Sequence, residues 1–159
     1  MRDATEMDDI EILGTAALIV NDDEEYLLHL RDDMPGVVNP GTWSLLGGTR
    51  DADDVTMEAT IARELAEETG LVLPGLRRFT LAHNSWEGVS GYIQVFLGRW
   101  NGAPEALTLT EGVMLRWFPA TMVHRLRMCP WAEDVIRLHE ASMDGRIAEL
   151  AASGALPRA

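Results

Sequence analysis

Residues 47–71 read GGTRDADDVTMEATIARELAEETGL, and the run Arg63-Glu64-Leu65-Ala66-Glu67-Glu68-Thr69-Gly70 within them decides how the rest of the chain is read. The spacing predicts a helix over Thr56–Thr69. Residues three and four apart on a helix share a face, so Glu64, Glu67 and Glu68 fall within about a third of a turn of one another. Three carboxylates then occupy one patch. Glu64 and Glu68 are like charges at i,i+4, a cost of roughly 0.2–0.5 kcal/mol, and acids in a last turn oppose the helix dipole. Arg63 can pair with Glu67 across one turn, but one cation does not neutralise three acids. Local rules broken in this way mark a site more often than a scaffold. The other side of the helix offers Met57, Ile61 and Leu65 for burial, with Ala62 and Ala66 small enough to permit close packing.

For an arbitrary acidic run on a surface helix, a solvated face is the commoner explanation. Its neighbours shift that balance here. Gly47-Gly48 ends a Trp-Ser-Leu-Leu run, and Gly70 stands where a left-handed cap would close the helix. Hard cations such as Mg²⁺ take oxygen ligands and commonly sit between carboxylates and substrate phosphates, which is the chemistry such a patch supports.

This segment resembles the Nudix box, G-x5-E-x7-R-E-U-x-E-E-x-G-U with U aliphatic. Arg63, Glu64, Leu65, Glu67, Glu68, Gly70 and Leu71 match its second half at every position. In the first half, counting from Gly48 brings the box glutamate onto Asp54 with one residue too many before Arg63; a one-residue insertion accounts for this and leaves Asp53 or Asp54 as the replacement. The resemblance implies a Nudix-type α/β/α sandwich with a mixed central sheet, in which the box forms loop, helix and loop. It implies a Mg²⁺-dependent (or Mn²⁺-dependent) pyrophosphohydrolase that cleaves a phosphoanhydride bond in a nucleoside triphosphate or nucleoside diphosphate derivative. By the same resemblance Glu64, Glu67 and Glu68 are metal ligands, Arg63 orients the carboxylates, and Glu111, in the loop before the last short strand, takes the place of a catalytic glutamate. Glu68 is the other candidate for that base. Gly48, lacking a Cβ, lets backbone approach the metal or a phosphate. Relatives with this fold also include nucleotide-binding sensors that do not cleave and prenyl diphosphate isomerases; the latter need a cysteine in the site, and Cys129 lies far along the chain.

Substrate contacts are less sharply marked. Trp43, Trp86 and Tyr92 are candidates to stack a base, although buried aromatics are more often core. Arg31, Arg77 and Arg116 are candidates to hold a phosphate. One cysteine and four dispersed histidines (His29, His83, His124, His139) make no zinc set, and neither a Gly-x-Ser-x-Gly nor a Walker loop is present.

Length and composition bound the rest. A chain of 159 residues, 47% hydrophobic, predicts one domain, with residues 1–10 loose, a folded core over 11–152 and a fraying end. The net charge of −13 disfavours nucleic acid polymers and anionic membranes as partners, while a small nucleotide can bind where metal supplies positive charge. A single cysteine suits the reducing cytoplasm, and neither an export leader nor a membrane-spanning run is apparent. Family habit adds a homodimer. In order, strands are predicted at Ile12–Val20 and Tyr26–Leu30 as a hairpin, at Arg77–Trp86 and Tyr92–Trp100 across a five-residue turn Glu87–Gly91, and at Val113–Phe118. Functional-length loops are expected at Arg31–Thr42 and Asn101–Gly112. Trp131 to about Leu150 has helical spacing, with a break near Asp144-Gly145.

Overall fold

The computed structural model describes residues 11–152, with side chains as far as Met143. The expectations for residues 1–10, for 153–159 and for the side chain of Ile147 lie outside the described residues.

Strand β1 (Ile12–Val20) is the spine, and its alternation shows why. Ala16, Leu18 and Val20 point to one face of the sheet, where they meet Val135 and Ile136 of the long helix at Pro130–Ala152. Ala17 and Ile19 point to the other, against Ile61 and Leu65 of helix α1 (Met57–Thr69). A strand buried from Gly14 to Val20 is therefore covered on both sides, which makes the structure the expected α/β/α sandwich. The sheet has seven strands and is mixed. β1 runs parallel to β6 (Val89–Arg99), and β6 is antiparallel to β5 (Arg77–Trp86). Along its other edge β1 is shared. Gly14 to Ala17 pair with β4 (Leu46–Thr49), whereas only Val20 pairs with β2 (Glu25–Leu30), through Tyr26. Farther out, β2 carries β3 (Trp43–Ser44) and β7 (Met114–Pro119).

The β1–β2 hairpin thus closes at the turn and then splays. Asn21 organises that turn, its side-chain oxygen accepting from the backbone N–H groups of Asp23 and Glu25. Beyond it the two strands part and β4 enters beside β1, opening a cleft at the divergence.

Three further expectations change. The β5–β6 connection is the two-residue turn Glu87-Gly88, both at positive φ (47° and 82°), so Val89, Ser90 and Gly91 pair with Trp86, Ser85 and Asn84. A turn of that hand matches the twist of paired strands and lets the ladder extend to the tip. Helix α3 (Pro130–Ala152) continues through Asp144-Gly145. One interior glycine costs only about 1 kcal/mol relative to alanine, too little to end a helix that has no proline there. On α1, Ala62 and Ala66 are exposed, and the buried strip is Thr60, Ile61, Leu65, Glu68 and Thr69. Pro119 precedes a short helix α2 (Ala120–Val123).

Candidate active site

Thr56 caps α1, its hydroxyl accepting from the Ala59 N–H, and Gly70 ends it at φ 75° with its N–H on the Ala66 carbonyl. The loop ahead of the helix is tied down through Asp54. That carboxylate accepts from Arg63 Nε and Nη2 (3.1 and 2.8 Å), from the Thr60 hydroxyl (3.0 Å) and from the Asp51 N–H (2.9 Å). The hydrogen bonds from Arg63, ahead of every other influence, hold Asp54 well below the usual carboxylate range and push the guanidinium higher still. Of the two acids the sequence left open, Asp54 is the one that meets Arg63, which also bonds the Thr49 carbonyl. Loop and helix are locked by one planar cation with five donors.

Arg63 reaches further, to Glu64 Oε1 and Glu67 Oε2, both at 3.0 Å. This divides the three glutamates. Glu67 stands 60% exposed in its ion pair. Glu64 and Glu68 instead turn into the cleft, a cavity of about 760 Å³ that they line together with Gly48 and Glu111. Glu68 is only 6% exposed. Burial first, then the nearby charges of Glu64 and Glu111, raises its pKa to about 7, and burial raises that of Glu64. One Glu68 oxygen, Oε2, is buried without a hydrogen-bond partner. A polar atom so placed costs free energy, so its retention needs a reason outside the protein's own contacts.

Gly48 supplies the neighbouring wall. A Cβ there would meet the Glu64 carboxylate, so a larger residue would push that side chain away from its present place against β4. An oxygen-lined recess with an unpartnered carboxylate oxygen, approached by bare backbone, fits a hard divalent cation. Among the described residues no group of three His, Cys, Asp or Glu is already convergent at ligand geometry. Glu67 and Glu64 are instead paired with Arg63.

The remaining candidates separate cleanly. Arg31 and Trp86 line the cleft. Arg31 donates through Nε to the Val38 carbonyl and so also holds the 31–42 loop over the opening. Trp43 lies elsewhere, in the core edge-on to Phe118 at 4.8 Å, with its backbone bonded to Arg127 and Cys129. Tyr92 stacks edge-on with His83, Arg116 lies over Phe118, and Arg77 borders a separate smaller cavity. Sequence reasoning passed over His29, Asn39, Asn84 and Trp131, which line the cleft too. Of these, His29 alone carried a signal, a polar residue inside the apolar strand EYLLHL. Cys129, far along the chain from the box, nevertheless lines the same cleft; it is buried, its thiol pushed up chiefly by burial.

Comparison with known proteins agrees with this geometry. A sequence model of the NUDIX domain matches residues 12–139. No curated protein matches the chain. Among solved structures it is similar to the MutT protein from Methanosarcina mazei Go1, at 21% identity over 84% of this chain and 96% of that one, with a TM-score of 0.71. It is similar to the NUDIX domain of Shewanella oneidensis NrtR in complex with ADP ribose, at 20% identity, 90% and 99% coverage and a TM-score of 0.63. A C. elegans Ap4A hydrolase in a binary complex gives 17% identity, 85% and 99% coverage and a TM-score of 0.68. Identities of this size speak to the fold; the match over residues 12–139 establishes that the chain belongs to the NUDIX family, as a hydrolase of phosphoanhydride bonds.

Proposed function

We propose that this hydrolase is a Mg²⁺-dependent pyrophosphohydrolase acting on a nucleoside triphosphate or on a nucleoside diphosphate linked to another group. The observation that carries this reading is the inward acid cluster. Glu68 is buried beside Glu64 and Glu111 with an unpartnered oxygen, while Arg63 pairs with Asp54, Glu64 and Glu67 and leaves Glu68 without a cation of its own. A protein that wanted Glu68 quiet would face it with a cation as well.

Glu64 and Glu68, with Gly48 at their side, would hold the cation, and Glu67 would join them on release from Arg63. When bound, Mg²⁺ screens phosphate oxygens and lowers the barrier to their displacement by water. Glu111 faces the same space and takes the proton of the attacking water. Arg31 at the mouth holds a phosphate, and Trp86 offers its ring to the base. The folded core is read as one domain over residues 11–152, and the charge of −13 disfavours a nucleic acid polymer or an anionic membrane as partner. Among the described residues no helix is long and apolar enough to cross a membrane. The buried lone thiol suits the cytoplasm.

Incubation with Mg²⁺ and a panel of nucleoside triphosphates, dinucleoside polyphosphates and nucleoside diphosphate sugars tests the reading. Cleavage that EDTA abolishes and Mg²⁺ restores is the expected result. Tight nucleotide binding with no product from any member would instead describe a sensor.

A further inference from the structure

A carboxylate that takes a proton from water must be held to within a fraction of an ångström, and Glu111 sits in a loop, Asn101–Gly112, with little regular structure of its own. What holds it is a set of bonds to its backbone from two directions. On one side, Thr110 N–H donates to the Glu68 carbonyl at 2.9 Å and the Thr110 hydroxyl to the Glu67 carbonyl at 3.2 Å, tying the loop to the last turn of α1. On the other, the end of β2 takes over. His29 Nε2 lies 2.8 Å from the Glu111 carbonyl oxygen, the Gly112 N–H donates to Asp32 Oδ2 at 3.1 Å, and the Val113 N–H to the Leu30 carbonyl at 2.8 Å. Both faces of the Glu111–Gly112 peptide are thus gripped by side chains three residues apart.

The chemistry of the grip is specific. A carbonyl only accepts, so Nε2 of His29 carries the hydrogen and donates it. The ring is 4% exposed on β2, where its backbone pairs with Ser44 on one side and Leu115 on the other, and it has little freedom to be anywhere else. Burial, the largest influence on it, lowers its pKa and keeps it neutral. Gly112 completes the fit. At φ 81°, its position is such that an added Cβ would strike the His29 imidazole, so the residue after Glu111 must be glycine for the ring to reach the carbonyl. Asp32 also accounts for a link to the 31–42 loop, because its carbonyl accepts from the Gly41 N–H at 3.2 Å. None of these contacts is needed to close the core, which lies in the two layers on either side of β1.

We propose that His29 and Asp32 are positioning residues for catalysis, which together clamp the Glu111–Gly112 peptide and so aim the Glu111 carboxylate at the water-bearing part of the cleft. The inference rests on the reading of Glu111 as the proton acceptor. It adds that β2, a strand outside the box, sets the rate through that residue without touching substrate.

The test uses the full chain and single-turnover and steady-state rates on whichever nucleotide the panel identifies. Glu111→Gln lowers kcat by about 10²–10⁴-fold if Glu111 is the base. His29→Leu lowers kcat by about 10–100-fold with KM little changed, because a small displacement of a reacting group costs that much. His29→Gln, which keeps an N–H donor, recovers a large part, and Asp32→Asn, which keeps an acceptor oxygen, recovers what Asp32→Ala loses. In the Glu111→Gln background neither His29→Leu nor Asp32→Ala lowers the rate further. Hydrogen exchange supplies a readout apart from activity: the Gly112 amide is protected in the parent protein and exchanges faster in Asp32→Ala. Should His29→Leu fail to fold, the Asp32 pair decides alone. Full activity of Glu111→Gln would overturn the assignment of the base; loss there, with parent-like kcat and exchange in both clamp variants or with additive losses in the double variants, would overturn the clamp only.

Discussion

Glu68 shows what a single residue at this site contributes. Its carboxyl titrates near 4.5 when free and is raised to about 7 in the fold, mainly by burial. The unfolded chain therefore ionises at Glu68 through pH 4.5 while the folded chain keeps the proton up to about 7. Stability without metal falls across that window and stays reduced above it, by an amount on the order of 3 kcal/mol. Glu68→Gln, neutral at every pH, is expected to melt at the same temperature as the parent below pH 4.5 and at a higher one at pH 8, both measured calorimetrically in EDTA. Added Mg²⁺ should then raise the melting temperature of the parent and leave the variant unmoved, because a ligand stabilises only the state that binds it. A variant less stable than the parent in EDTA at pH 8 would show that Glu68 is a structural acid.

At the scale of the element, helix α1 is placed by its entry loop more than by its own propensity. Thr56 supplies an ordinary cap, and Thr56→Ala should cost about 1 kcal/mol. Asp54 does more, since its four hydrogen bonds join Arg63, Thr60 and the backbone of Asp51. Asp54→Asn should lower the melting temperature further than Thr56→Ala at pH 7 and reduce activity as Arg63 loses its anchor. The sign with pH is fixed by the lowered pKa: the contribution is complete above about 4, the value of a free aspartate, and is lost as pH falls toward the folded value. Urea titrations at pH 7 and pH 3 should show the difference between parent and Asp54→Asn shrinking at the lower pH. No difference between parent and Asp54→Asn at either pH would overturn the role given to Asp54. The helix also answers a question its sequence posed, for its three glutamates are not equivalent: Arg63 takes Glu67 outward, and Glu64 and Glu68 turn in.

For the molecule as a whole, two apolar layers share one sheet. β1 sends Leu18 into the layer under α3 and Ile19 into the layer under α1, so neither layer can dissolve while the other stays intact. Calorimetry in EDTA is expected to give one transition whose calorimetric and van't Hoff enthalpies agree. Two resolved transitions would mean separable units. The charge of −13 acts at this scale as well, since it disfavours the approach of free nucleotide except where a cation would reverse the local field.

How much of this the chain declares in its own order depends on the range of the interaction concerned. Strand β1, helix α1 with its Thr56 and Gly70 ends, and the box acids were all legible, because each follows from periodicity, capping chemistry or a fixed local spacing. The β5–β6 turn and the continuity of α3 were misjudged where glycine was read as punctuation, whereas pairing partners and a helix already formed tolerate it. Which glutamates face inward, which aspartate meets Arg63, and that Trp43 is core while Trp86 borders the cleft were settled by contacts across the sheet and around the box loop. The clamp on Glu111 is the clearest instance: His29 and Glu111 stand 82 residues apart, and only the pairing of β2 with β7 brings them to 2.8 Å. Local sequence chose the chemistry, through which side chains are available and on which element; tertiary packing chose the geometry, because burial and hydrogen-bond partners exist only once distant strands have met.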